Sequence, residues 1–433
     1  MIDLTDLRAR PEVYKEATKQ KGYTVDIDKL LELDVLRRQK TEQLDELRQA
    51  RNELSAAAKN QRPSEEQIAK GKELKEQIAA FEEALQPVET EFAQLYKLVP
   101  NLPEADVPVG ASEDENVVAK TWGEKPQFDF VPKNHWEIAE ARDWIDKERA
   151  AKVSGSRFAY LKGGVAQLQF AIVQFVLNTL SDEAVIAKVV SENNLNISPK
   201  AFTPVVPPVM IRGSIYEQMD RLDPREDRYR IESEDDLWLI GSAEHTLGSM
   251  YAGEVLPEAN LPIRYVGYST SFRQEAGTYG KDMEGIIRMH QFDKLEMEIF
   301  STAQTGRDEH LLLVALQEYM VQQLGLHYEL MLKCTADIGK PNARGVDINV
   351  WFPSQNKYRE THTADYMTNY QTRRLGTRVK KNAGETELAH TNDATAFAIG
   401  RTIAAIIENY QTADGNVRIP DVLKAYMGGR ELL

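Results

Sequence analysis

From Leu74 onward the apolar residues run Leu74, Ile78, Phe81, Leu85, Val88, Phe92, Leu95 and Val99, in steps of four and three. That spacing is the seam of a coiled coil. Upstream, Leu33, Leu36, Leu44, Leu47 and Leu54 recur at looser helical spacing. Between the two runs, KNQRPSEEQ predicts a turn, because Pro63 blocks helix continuation and Ser64 with Gln67 forms a capping box that restarts it. Two helices of roughly 30 residues would each extend about 45 Å at 1.5 Å per residue. That is too long to cover a compact domain, so residues 28–98 are expected to project as an antiparallel arm. Pro87, inside the second helix, is expected to kink it or remove one hydrogen bond.

The period changes to two in TSFRQEAGTYGKDMEGIIRMHQFDKLEMEI, residues 270–299. Gly277, Gly280 and Gly285 punctuate a polar loop between two extended runs, which predicts a long β-hairpin. In the second run Ile287, Met289, Leu295, Met297 and Ile299 fall on a core face, and Arg288, His290, Phe292, Lys294 and Glu296 on the other. Arg273 and Glu275 share a face of the first run. One side of the hairpin can therefore offer cations, carboxylates and an aromatic ring to one bound molecule. Phe292 to Glu296 spans about 13 Å at roughly 3.4 Å per residue, near the reach of an adenylate from its base to an attached amino acid. Helical periodicity also marks Gln167–Leu177, Leu311–Leu324, and the stripe Ile399, Ile403, Ile406, Ile407, Tyr410, with Arg401 opposite.

The chain has 433 residues, 42% hydrophobic and 28% charged, enough for two or three folded domains. Its net charge of -15 argues against holding nucleic acid by bulk attraction, so RNA contact would need local basic patches. One such patch, Arg48, Arg51, Lys59, Arg62, Lys70, Lys72 and Lys75, lies towards the tip of the arm, interleaved with glutamates. On charge alone, such a pattern is more often a solvated helix face than an RNA site. The single cysteine, Cys334, excludes an internal disulfide and a multi-cysteine zinc site, and suits a reducing compartment. Neither a signal peptide nor a membrane-spanning run is legible, and a cytoplasmic protein is expected.

FRQEAG, a polar loop and GIIRMHQFDKLEM together resemble motif 2 of class II aminoacyl-tRNA synthetases in its seryl form. Further matches follow along the chain: Val99-Pro100-Asn101-Leu102-Pro103 after the arm, NHWE, the YLKG stretch, AFTPVVPPVMI for motif 1 with Pro208 in the dimer-interface place, and GR-T-AA-IENYQ for motif 3. DINVWFPSQNKYRETHTADYMTNYQTRRL keeps Trp351, Pro353, Gln355, Asn356, Tyr358, Arg359, Glu360, Gln371, Arg373 and Arg374 of the family segment, but replaces its ISSCSN portion by Thr361–Tyr366. GSIYEQMDRLDPREDRYRI stands where the family has a GTGQLP-like loop. The resemblance to seryl-tRNA synthetases implies an α+β fold, an antiparallel sheet flanked by helices, with an N-terminal coiled-coil arm. It divides the chain into a tRNA-binding domain at 1–103, an acidic linker at 104–130 and a catalytic domain at 131–433.

The resemblance also implies roles. Serine is activated with ATP to seryl-adenylate, and the seryl group passes to the 3′ end of tRNA(Ser), and of tRNA(Sec) where present, gripped by the arm through the basic residues above. Arg273 and Arg401 are the implied catalytic cations. ATP falls to Arg273, Glu275, Met289, Phe292, Glu360, Thr363 and Arg401, with Phe292 stacked on adenine. Serine falls to Ser242, Glu244, Arg273, Glu296 and Thr395; Ser242-Ala243-Glu244 takes the place of the family's Thr-x-Glu. Glu360 and Thr363 retain oxygen ligands for Mg²⁺; no zinc is expected. His362 is expected to be structural. A homodimer and no membrane partner are implied. Two other readings fit parts of the chain: a class II-like ligase loading a carrier protein, which has no need of the arm, and a non-catalytic RNA-binding paralogue, which has no need of Arg273, Glu275, Glu296, Glu360 and Arg401 together.

Overall fold

The computed structural model describes residues 1–57, 64–276, 285–381 and 384–433. It divides into two compact units, Met1–Leu102 and Pro103–Leu433. In the first, helices α1 (Leu4–Ala9) and α2 (Pro11–Gln20) precede two long helices, α3 (Ile27–Ala57) and α4 (Glu65–Leu98). The long pair is antiparallel: Arg37 lies over Phe92 at 4.5 Å, and Arg48 meets Glu82 at 2.8 Å. Leu44, Ile78 and Leu85 are buried between them with Leu47 and Phe81 at their edges, which is the seam the heptads predict. Ser64 and Gln67 form the reciprocal capping box, satisfying two orphan amides of the first turn. The turn itself, with Lys59, Arg62 and Pro63, lies outside the described residues. α4 continues through Pro87; the proline removes one donor, and the Glu83 carbonyl that loses it is on an exposed residue, where water can replace the bond.

The second unit is built on an eight-stranded sheet. Its strands are β1 (Val117–Trp122), β2 (Thr203–Val205), β3 (Ile263–Phe272), β4 (Gln291–Ser301), β5 (Tyr328–Leu332), β6 (Arg344–Phe352), β7 (Lys357–Thr368) and β8 (His390–Ala398). The order is β1-β5-β6-β7-β8-β4-β3-β2, antiparallel throughout except for the β2–β3 pair. Part of the stretch expected as a linker is therefore sheet. Val117–Trp122 pairs with β5, and Trp122 stacks on Tyr328 at 5.8 Å; three β-branched residues, Val117, Val118 and Thr121, and an aromatic ring outweigh the acidic surroundings.

Helices α5 (Gly163–Ser181), α7 (Gly306–Gln323) and α8 (Ile399–Asn409), with a single turn α6 (Glu244–Leu247) between the first two, complete the parts that matter here. Leu295, Met297 and Ile299 of β4 are fully buried in one core with Leu312 and Leu316 of α7 and Ile403, Ile406 and Ile407 of α8. α7 begins before the predicted Leu311 and is buried on more than one side, because it packs between the sheet and the helix Glu183–Glu192. With alternate residues of β4 committed to this core, Lys294, Glu296 and Glu298 must point to the opposite face.

The hairpin is shorter than predicted. β3 and β4 pair from Ile263–Phe300 to Phe272–Gln291, and Gly285–His290 is irregular. Gly285 has φ 70°, and a Cβ there would lie 1.9 Å from His135 Nε2, so the chain turns sharply at a point only glycine can occupy. The period of two therefore fails before Gln291. Gly277 and Gly280 lie outside the described residues.

Candidate active site

The second unit carries a cavity of about 220 Å³ whose wall includes Arg221, Glu244, Arg273, Glu275, Phe292, Lys294, Glu360, Thr363, Thr395 and Arg401. Five stretches of the chain converge here, around Arg221, Glu244, the 273–294 hairpin, 360–365 and 395–401. β3 ends at Phe272, and Arg273 follows it, donating from Nε to the Gly241 carbonyl at 3.1 Å and lying 5.5 Å from the Phe292 ring. Glu275, at φ 54°, pairs with Arg288. Ile287 and Met289, expected on the core face, do join the core, Met289 as a buried member and Ile287 packed against it, and both also line the cavity.

On the far wall Arg401 opens α8. The stripe opposite it, Ile399, Ile403, Ile406 and Ile407, is buried, and the Arg401 guanidinium reaches Glu360 through Oε1 and the backbone oxygen, both at 2.9 Å. Gly400 comes so close to the Ile286 carbonyl that a Cβ would lie 3.0 Å away. The Thr363 hydroxyl bonds to Asp347, a buried carboxylate whose pKa burial raises to about 7, while Lys333, 3.8 Å from it, works the other way. His362 is buried, bonded through Nδ1 to the Thr361 hydroxyl at 2.7 Å and set edge-on to Phe397. It is held by the core and does not line the cavity.

The floor is a buried charge cluster. Glu296 faces Gly267 on one neighbouring strand and Thr395 on the other. Ser242 donates to Glu296 at 3.0 Å, and Lys294 donates to Ser242 at 3.1 Å and also pairs with Glu296. Burial raises the Glu296 carboxyl to about 7, with Lys294 opposing and Glu244 reinforcing the shift. Burial is the largest single influence on Glu244 and pushes its carboxyl up, but Arg221, His245 and Lys294 together outweigh it and hold that carboxyl well below the ordinary range. Ser242 and Glu244 lie at a bend that leads into a helix, not on a strand. The chain bends, and the Ser242 hydroxyl accepts from the Glu244 amide at 3.4 Å at the start of α6, in the manner of an N-cap.

Three cluster members escaped the sequence reading. Asp393 is fully buried, and its carboxylate lies with those of Glu244 and Glu296, ligand atoms within 4.8 Å of one another. The period of two on β8 from Thr395 would have found it. Lys294 was placed on the right face but given no partner. Arg221 belongs to the stretch without a family counterpart and carried no signal at all. Pro208, on the connection after the edge strand β2, is exposed and outside this cavity. The basic residues Arg48, Arg51, Lys70, Lys72 and Lys75 belong to the first unit.

Comparison with known proteins agrees at both ends of the chain. Residues 1–103 match the family model described as seryl-tRNA synthetase N-terminal domain, and residues 228–410 the model described as tRNA synthetase class II core domain (G, H, P, S and T). A serine–tRNA ligase of Symbiobacterium thermophilum is 38% identical over 431 residues, 98% of each chain, and one of Deinococcus radiodurans is 38% identical over 440 residues, covering 100% of this chain and 99% of its own. Among solved structures, seryl-tRNA synthetase from Pyrococcus horikoshii complexed with ATP superposes with a TM-score of 0.87 at 34% identity, covering 100% and 99% of the two chains. Cytoplasmic serine–tRNA ligase from Naegleria fowleri in complex with AMP gives 0.82 at 26% identity, covering 98% and 95%.

Proposed function

The chain belongs to the seryl-tRNA synthetase family of class II aminoacyl-tRNA synthetases, and from that premise we propose how its own residues divide the work. The reaction is the ATP-dependent ligation of serine to tRNA. The observation that carries the proposal is the convergence of Glu244, Arg273, Phe292, Glu360, Thr395 and Arg401 on one cavity, which neither a carrier-loading ligase nor a non-catalytic paralogue accounts for together with the long arm.

ATP lies along the wall from Phe292 to Arg401. Phe292 stacks on adenine, Glu275 accepts from its exocyclic amine, and Met289 packs against it. The serine carboxylate attacks the α-phosphorus, releasing pyrophosphate. As negative charge grows on the phosphate oxygens, Arg273 and Arg401 meet it as fixed donors that need no reorganisation. The terminal ribose hydroxyl of tRNA then takes the seryl group and AMP leaves. Serine sits on the floor: Glu244 receives the ammonium through a charge-assisted hydrogen bond, while Glu296, Ser242 and Thr395 surround the side-chain hydroxyl. An amino acid without that hydroxyl leaves these polar groups unpaired, which is the strongest basis for rejection.

Glu360 and Thr363, with Asp347 behind the threonine, form a set of hard oxygen donors that fits Mg²⁺. When bound there the ion supplies positive charge to the phosphates. The arm is the tRNA-binding element, through Arg48, Arg51, Lys70, Lys72 and Lys75 together with Lys59 and Arg62. A homodimer formed through motif 1 accounts for the apolar surface on α5 and beyond β2, where Phe170 is 63% and Val206 83% exposed; Pro208 lies in that interface. A cytoplasmic location accords with the free, buried Cys334. Pyrophosphate exchange measured with each of the twenty amino acids tests the assignment. Serine is expected to drive it; a preference for threonine or alanine of about tenfold, some 1.4 kcal/mol, would overturn the serine pocket.

A further inference from the structure

Arg221 stands between the carboxylates of Glu244, assigned to serine, and the buried Asp393. Its Nε lies 3.0 Å from Glu244 Oε1, and its Nη2 donates to Asp393 Oδ2 at 3.2 Å. The Arg221 side chain is 16% exposed and the two acids 13% and 2%. The neighbourhood carries an excess of acid: Glu296 is within reach of the same point, and Glu298, directly across the ladder from Asp393, is buried with neither oxygen hydrogen-bonded. Against these stand Arg221 and Lys294, and Lys294 is engaged with Ser242 and Glu296. Arg221 is the cation committed to Glu244.

Its own position is fixed from outside the cavity. Arg228 Nε donates to the Arg221 carbonyl at 3.1 Å. The preceding residue, Asp220, is clamped by Lys340 and Arg374, each at 2.9 Å, and Gln371 donates to the Met219 carbonyl at 3.2 Å. A guanidinium on so firmly held a backbone is preorganised, and its planar fork fixes the geometry between two carboxylates more rigidly than a rotatable ammonium on a flexible stem would. Arg221 and His245 both approach Oε1 of Glu244, which leaves Oε2 for the ammonium of a bound amino acid.

We infer that Arg221 is a positioning residue for amino-acid recognition: by bridging Glu244 and Asp393 it keeps the Glu244 carboxylate charged and aimed into the cavity. This rests on the assignment of Glu244 to serine. The residue does not touch ATP in this scheme, so its loss should separate the two substrates.

The test is a double-mutant cycle of Arg221→Gln and Glu244→Gln, with Arg221→Lys as the conservative variant, read by pyrophosphate exchange at varied serine and varied ATP. Arg221→Gln is expected to raise the serine KM about tenfold or more while the ATP KM stays within about twofold, with Arg221→Lys in between. In the Glu244→Gln background, Arg221→Gln should add less than about threefold, since a residue acting through another is non-additive with it. Glu244→Gln with an unchanged serine KM would sink the serine assignment beneath this inference. A large effect of Glu244→Gln combined with an independent, additive effect of Arg221→Gln, or equal rises in both KM values, would overturn the inference itself. If Arg221→Gln does not fold, Arg221→Lys carries the same cycle: an unchanged serine KM there counts against the inference, and a selective rise that vanishes in the Glu244→Gln background supports it.

Discussion

At the level of single residues, the sharpest expectation concerns Arg273. Arg273→Ala removes a planar donor placed beside the Phe292 ring and bonded to the Gly241 carbonyl. Loss of one such donor costs about 3–4 kcal/mol of transition-state stabilisation; pyrophosphate exchange should fall accordingly, and by less in Arg273→Lys, which keeps charge without the fork. His362 should behave differently. Burial pushes its imidazole down from 6.5 to about 3, so the folded protein refuses a proton that the unfolded chain accepts. Folding therefore loses stability as pH falls below about 6.5 towards 3, and is unaffected above. His362→Gln should flatten that acid limb in thermal melts while leaving the pH dependence of exchange between about 6 and 8 unchanged. Residues of this kind were legible in proportion to how local their signal is. Arg273, Phe292, Glu296 and Arg401 stand in periodic stretches that fix which face they occupy. Arg221 owes its place to an irregular loop anchored by Lys340, Arg374 and Gln371, and no local pattern encodes those long-range bonds.

Whole elements show the same division. The arm was readable because its packing repeats: each apolar residue of α4 meets α3 for the reason the previous one does, so a one-dimensional pattern suffices. The hairpin was only partly readable. Alternation holds on β4 from Phe292 to Ile299, then fails at Gly285–His290, where the space left by His135 dictates the backbone. What ties β3 to α7 was not readable at all. Arg264 is buried and meets Glu309 through two bonds of 2.9 Å, and it also donates to the Ser198 carbonyl at 2.9 Å. Removing one partner of such a pair strands a charge without water. Glu309→Ala is therefore expected to cost about 3–5 kcal/mol in denaturant unfolding of the catalytic unit, and replacement of both residues by apolar ones of similar volume should recover most of that. Equal destabilisation in the single and the double variants would mean that packing volume, not the stranded charge, sets the cost.

For the whole molecule, the division into Met1–Leu102 and Pro103–Leu433 makes a functional prediction of its own. The arm's seam, Leu44, Ile78 and Leu85 with Leu47 and Phe81, is a core separate from the one beneath the sheet. Its basic residues Arg48, Arg51, Lys70, Lys72 and Lys75 are exposed or nearly so, while every residue assigned to ATP and serine belongs to the second unit. Replacing residues 40–88 by a short bridge keeps the base of the arm, where Arg8 and Arg37 hold the buried Asp34 at 2.8 and 3.2 Å. It removes only helix whose apolar residues bury one another. Serine-dependent pyrophosphate exchange should survive almost intact, and charging of tRNA should be lost. Neutralising Arg48, Arg51, Lys70, Lys72 and Lys75 to glutamine in the full chain should act in the same direction, raising the tRNA KM and flattening its dependence on salt, because a phosphate that meets no cation keeps its condensed counterion on binding. With a net charge of -15 the rest of the surface repels RNA, so these few cations have to carry the attraction. Loss of exchange in step with charging, in a truncated protein that unfolds cooperatively, would instead make the arm a structural support for the catalytic unit.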